Sequence, residues 1–152
     1  MYADGTGETR LSPGAEGSYQ IDLWPSQSPD GRHVVYATDR EPGDGYRLWV
    51  QEIATGTIRP LNVSGESPRW SPNSDWIAFV DQSKVKVIRA DGSGLRTLSS
   101  PGKAYGWGLD WSPDGRWIVA TSGSIDLIEL ETGLTLPLAF TQGFIEPTWK
   151  PR

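Results

Sequence analysis

Apolar and polar positions along the chain change their spacing on a fixed schedule. Three short runs are almost wholly apolar: His33-Val34-Val35-Tyr36, Trp76-Ile77-Ala78-Phe79 and Trp117-Ile118-Val119-Ala120. Runs of this length, rich in β-branched and aromatic residues, predict strands buried on both faces. Each is followed by a second strand-like segment: Arg47-Leu48-Trp49-Val50, Val85-Lys86-Val87-Ile88 and Ile125-Asp126-Leu127-Ile128. Lys84 and Lys86 alternate with Val85 and Val87, the pattern of a strand with one solvated face. No segment carries an apolar stripe at i, i+3, i+4, so no helix is predicted.

A tight turn precedes each apolar run. It reads Ser28-Pro29-Asp30-Gly31, Ser71-Pro72-Asn73-Ser74 and Ser112-Pro113-Asp114-Gly115, with starts 43 and then 41 residues apart. A fourth copy is entered at Trp149-Lys150-Pro151. A period of about 40 to 45 residues is that of a four-stranded propeller blade. Ahead of each turn lies an extended segment, Pro25-Ser26-Gln27, Pro68-Arg69-Trp70, Leu109-Asp110-Trp111 or Pro147-Thr148-Trp149. Further on, second turns fall at Thr55-Gly56, Asp91-Gly92 and Thr132-Gly133, and Leu61, Leu98 or Leu138 closes the unit.

The predicted fold is all-β: a β-propeller region of antiparallel four-stranded blades over residues 1–152. Blades are expected at 18–62, 65–99 and 105–139. Residues 1–12, where Ala3-Asp4-Gly5-Thr6-Gly7 aligns with Ala90-Asp91-Gly92-Ser93-Gly94, read as the outer hairpin of a partial blade. Residues 143–152 read as the inner strand of another. The expectation is an arc of a larger ring, with self-association through open blade faces as one consequence.

Composition narrows the partners. The chain has 152 residues with 18 Gly, 12 Pro and 8 Trp, as suits short strands and tight turns. A formal charge of −5 gives a field that repels phosphate backbones, which argues against nucleic acid as a partner. There is no cysteine, so thiolate metal sites and disulfides are excluded. No apolar run is long enough for a membrane-spanning helix, and no membrane insertion is expected. No cofactor is implied.

Pro-x-Trp-Ser-Pro-Asp-Gly followed by an apolar strand and a later Asp-Gly turn resembles the TolB-type β-propeller repeat. It is also similar to the propeller domains of tricorn and dipeptidyl-peptidase-type enzymes. The resemblance covers nearly the whole chain and implies a periplasmic or extracytoplasmic setting. It also implies a ring of six blades, which at this period needs about 240 to 270 residues. Three departures are visible: Gln27 in place of Trp, Asn73-Ser74 in place of Asp-Gly, and Leu109 in place of Pro.

Catalytic chemistry has little to stand on. His33 is the one histidine and occupies the place of Trp76 and Trp117, so it reads as a substitute aromatic. Asp30, Asp114, Asp4 and Asp91 precede Gly in turns, where a short carboxylate accepts backbone N–H bonds. No Gly-x-Ser-x-Gly elbow is present. The candidate binding residues therefore lie in material that is not repeated. Tyr19, Tyr105, Trp107, Phe140 and Phe144 sit in links between blades, either gripping a ligand or capping the blade-to-blade core. Arg69 and Asp110, with Thr148, hold the middle of the innermost strand and could line the channel. The expected function is a non-catalytic module that binds a protein or peptide, or else the gating propeller of a peptidase whose catalytic domain lies elsewhere.

Overall fold

A computed structural model describes residues 21–39, 45–106, 108–140 and 147–149. These form twelve strands. The first four are β1 (Asp22–Gln27), β2 (His33–Thr38), β3 (Arg47–Glu52) and β4 (Ile58–Ser64). The next four are β5 (Glu66–Trp70), β6 (Trp76–Asp81), β7 (Lys84–Arg89) and β8 (Arg96–Thr97). The last four are β9 (Leu109–Trp111), β10 (Trp117–Thr121), β11 (Ser124–Glu129) and β12 (Thr135–Phe140). Each group of four is one antiparallel sheet in chain order, so the architecture is three meandering blades. The first strands β1, β5 and β9 are spatial neighbours, and so they mark the inner side of an arc.

The core lies between blades. Val35, Ala37, Leu48, Val50 and Leu61 of the first blade meet Trp70, Ile77, Phe79 and Ile88 of the second. Ala78, Val80, Val85, Val87 and Leu98 of the second meet Tyr105, Leu109, Trp111, Ile118, Ala120 and Ile128 of the third. Alternate residues of β6 thus serve opposite junctions, which is why its sequence is apolar from Trp76 to Val80. Gly65 marks a close approach: a Cβ there would stand 2.5 Å from Phe79 Cδ2 and 3.3 Å from Leu48 Cδ1.

The repeated turn is held by its own side chains. Ser28 Oγ accepts the His33 N–H at 2.9 Å, and Asp30 accepts from the Ser28 hydroxyl and from the Arg32 N–H. Ser71 and Ser112 make the same contacts with Trp76 and Trp117. The Ser28 hydroxyl, then the Arg32 N–H, holds Asp30 below the usual carboxylate range, and Ser112 and Arg116 do so for Asp114. These acids are turn formers. Asn73 fills the same role, accepting from the Ser71 hydroxyl at 2.7 Å. Ser74 adopts φ 62° where Gly31 and Gly115 have φ 73° and 71°. Its hydroxyl accepts the Asp30 N–H at 3.2 Å, a contact between neighbouring turns that glycine would not make. His33 lies 6.0 Å from the Trp70 ring at a 32° tilt, in keeping with a substituted aromatic.

The inner strands explain the third departure. Trp24 and Ser67, each before a proline, take φ 50° where β1 and β5 shift register. The third blade has Gly108-Leu109 instead, and β9 pairs with β10 without a shift. Leu109 is 3% exposed and joins the core.

Polar contacts recur at the junctions. Ser26 Oγ accepts the Trp70 N–H at 3.3 Å, and Asp110 Oδ2 accepts the Trp149 N–H at 3.0 Å from an equivalent position. Further out, Arg59 donates to the Ala90 carbonyl, and Arg96 donates to the Leu130 carbonyl at 3.1 Å. Both arginines lie on a fourth strand and reach the end of the next blade's third strand.

Candidate functional site

The links from one blade to the next and the turns between second and third strands meet at one end of the arc. They enclose a cleft of about 570 Å³, lined by residues 45–46, 64–66, 80–83, 105 and 106. Tyr46 forms one wall, its ring edge-on to Trp24 with centroids 5.4 Å apart. Opposite is the two-residue turn Gln82-Ser83, with φ 49° and 58°. Both angles are left-handed, the backbone a two-residue hairpin demands, and neither residue is glycine. The Ser83 carbonyl accepts the Tyr105 N–H at 2.9 Å and so ties this turn to the following link.

Two carboxylates border the cleft. Asp81 accepts from Ser64 Oγ at 2.7 Å and from Lys86 Nζ at 2.6 Å, so it is anchored. Glu66, half-buried, opens β5. Glycines 45 and 106 leave backbone bare: a Cβ at either would meet nothing within 4 Å.

Beneath Tyr105 lies a buried polar cluster around Asp126. Asp126 is 0% exposed and accepts from Lys103 Nζ at 2.8 and 2.9 Å. It also accepts from the hydroxyls of Ser122 at 2.7 Å, Ser124 at 2.9 Å and Tyr105 at 3.1 Å. Burial pushes this carboxylate upward, but Lys103 and then the hydroxyls outweigh it and hold Asp126 below its ordinary value. Desolvation, followed by the Asp126 charge, raises the Tyr105 phenol far above the usual range. Lys103 and Tyr105 both belong to the link after the second blade. The network therefore fastens that link to β11.

The sequence candidates fare differently. Tyr105 is 3% exposed, so it is not an aromatic held out on a free link. It caps the junction between second and third blades, and an edge of it floors the cleft. Asp110 is half-buried and accepts the Trp111 N–H at 2.9 Å and the Trp149 N–H at 3.0 Å. Arg69 is half-buried and turns back to the Pro68 carbonyl at 3.1 Å. Phe140 ends β12. Tyr19, Trp107, Phe144 and the side chain of Phe140 lie outside the described residues. Tyr46, Glu66, Gln82 and Ser83 escaped the sequence reading, because Gln82 and Ser83 form a turn and Tyr46 and Glu66 lie beside or at the start of a strand, where composition suggests only punctuation. Asp126 gave one faint signal, a charge in the strand position where the second blade has Lys86.

The fold defines the chain as an arc of a β-propeller, and comparison with known proteins agrees. No family model matches the chain. It is 30% identical over 110 residues to an uncharacterised peptidase, YuxL, of Bacillus subtilis, covering 64% of this chain and 16% of that protein. It is 26% identical over 126 residues to dipeptidyl-aminopeptidase B of Aspergillus niger, covering 66% of this chain and 14% of that one. The chain thus spans about a sixth of these relatives. Among solved structures, TolB of Acinetobacter baumannii aligns with TM-score 0.65 at 20% identity, over 78% of this chain and 32% of its own. An oligogalacturonate lyase in complex with manganese aligns with TM-score 0.65 at 17% identity, over 83% and 43%. A chain of the nidogen/laminin complex gives TM-score 0.63 at 14% identity, over 80% and 49%. The TolB-like propeller fold is shared by proteins of unlike function, so the chemistry must be argued from the cleft.

Proposed function

We propose that this chain is a recognition module: a propeller arc that binds an extended peptide, or an exposed protein loop, in the cleft at the link end. One observation carries the reading. A cleft of about 570 Å³ has the size of ordinary ligand sites. Its walls combine an aromatic ring at Tyr46, a carboxylate at Glu66, polar Gln82 and Ser83, and bare backbone at glycines 45 and 106. Such a lining suits a peptide, which needs apolar area, a few oriented hydrogen bonds and backbone-to-backbone approach.

The peptidase-like relatives favour a second form of this reading. There the arc presents peptide to a catalytic domain carried elsewhere in a longer protein. Both forms predict peptide binding without hydrolysis by these 152 residues.

Gly106 offers a clean test. A Cβ there would meet nothing within 4 Å, and the hydrogen bond that its backbone N–H donates to the Thr121 carbonyl at 3.1 Å needs no side chain. Peptides would be selected from a displayed library against the purified chain, and their affinities measured by calorimetry. Gly106→Leu should weaken them at least ten-fold, about 1.4 kcal/mol, with an unchanged thermal midpoint. Undiminished binding by a folded Gly106→Leu variant would refute the cleft as the site.

A further inference from the structure

Asp126 is fully buried and carries a charge, yet it is not among the residues that line the cleft. Its place in the repeat defines its task. Asp126 pairs with Ala120 in the third blade as Lys86 pairs with Phe79 in the second. Ala120 and Phe79 are each the fourth residue of their strand, so the two charges occupy equivalent positions. Each has an opposite charge to meet. Lys86 donates to Asp81, which also accepts from Ser64 at the end of the first blade. Asp126 accepts from Lys103 and Tyr105, in the link that leaves the second blade. The signs are reversed, but both clusters tie a third strand to material from the blade before. Ser64, Asp81 and Tyr105 line the cleft, so both clusters reach it from behind.

We infer that Lys103 and Asp126 are positioning residues of the cleft, an inference that rests on its reading as the peptide site. They touch no ligand; they hold its floor and one wall in register. The link is stitched to two blades at once. Towards the second blade, the Lys103 carbonyl accepts from Lys84 Nζ at 2.7 Å, and the Tyr105 N–H donates to the Ser83 carbonyl at 2.9 Å. Towards the third, Lys103 Nζ and the Tyr105 hydroxyl donate to Asp126, and the Gly106 N–H donates to the Thr121 carbonyl. Tyr105 is therefore shared: its backbone holds the Gln82-Ser83 wall, and its hydroxyl holds β11. Asp126 accepts five hydrogen bonds in all, two from Lys103 and one each from Ser122, Ser124 and Tyr105. A buried polar network satisfied this fully rigidifies what is attached to it. A displacement at Asp126 passes through one side chain to wall and floor together, and a binding surface loses affinity when its supporting residues are loosened.

Calorimetry with the library-selected peptides tests the inference on three variants. Lys103→Met keeps the apolar stem and removes the ammonium, and it should weaken the peptides about five-fold. Lys103→Arg restores charge and donors to the carboxylate, and affinity should return to within about two-fold of the parent chain. Tyr105→Phe keeps the ring and loses only the hydroxyl bond to Asp126, so its affinity should fall between the two. Being the milder change, it keeps the test valid whatever Lys103→Met does to stability. Backbone NMR of the unliganded chain adds a second readout: Lys103→Met should shift the Gln82 and Ser83 amides, across the Tyr105 contact. A purely local packing role would move neither those amides nor the affinity of the folded chain. Undiminished affinity in a folded Lys103→Met or Tyr105→Phe chain would overturn the inference, as would an arginine variant as weak as the methionine one. Gly106→Leu, measured on the same peptides, separates the two readings. If it weakens them and Lys103→Met does not, this inference alone falls. If Gly106→Leu leaves them undiminished, the cleft falls and takes the inference with it.

Discussion

Asp126→Ala is expected to destabilise the chain by about 3 kcal/mol, the scale of a buried ion pair broken from one side. The loss has a definite origin. The substitution leaves the Lys103 ammonium without its counter-charge, and the hydroxyls of Ser122, Ser124 and Tyr105 lose their shared acceptor. Lys103 is 33% exposed, so its ammonium can recover some hydration, which places the effect at the low end for such pairs. Lys103→Met should cost less, because three hydroxyl donors still serve the carboxylate.

The sign of the pH dependence follows from the same contacts. Asp126 titrates below its ordinary value of 3.8 in the folded chain, so its contribution is present above that value. It is lost as pH falls through the lower, folded-state value. Lys103→Met removes the foremost stabiliser of the charged form. Urea titrations in a pH series should therefore show its acid-side loss beginning at higher pH than in the parent chain. An Asp126→Ala variant as stable as its parent would remove the network from the account of what fixes the link.

The second large effect is a coupled pair at the junction of the first two blades. Phe79→Ala should cost about 3–5 kcal/mol, because it empties the largest fully buried side chain in the described core. Gly65→Ala should cost about 1–3 kcal/mol, because its new methyl group meets the Phe79 ring well inside van der Waals distance. The two should not add. With the ring gone, the Gly65 methyl group has room and fills part of the void, so the double variant should lose less than the sum. Strict additivity in denaturant titrations would mean that Gly65 and Phe79 are not in contact.

Most of the scaffold was legible in the sequence because turns and apolar runs are local signals. Asp30-Gly31 and Asp114-Gly115 placed the hairpins, and the run from Trp76 to Phe79 placed a strand sandwiched between neighbours. The cleft was not legible, since it depends on which links converge. Gln82 and Ser83 hold a backbone that glycine or asparagine usually marks, so nothing in their identity announced a hairpin beside a site. Tyr105 reads two ways in the sequence, as a ligand grip or as a cap on the blade-to-blade core, and its burial matches the cap. The choice was not legible because the acceptor that draws it inward, Asp126, lies 21 residues away. The Trp149 N–H that Asp110 accepts lies 39 residues away and was equally hidden.

The central claim is that the link-end cleft, and not the outer strands, receives peptide. Backbone NMR of the labelled chain, titrated with a library-selected peptide, tests it most directly. The expected result is saturable shifts at Tyr46, Glu66, Gln82, Ser83 and Gly106, with β8 and β12 unmoved. Shifts confined to β12, or none at the cleft at saturation, would contradict it.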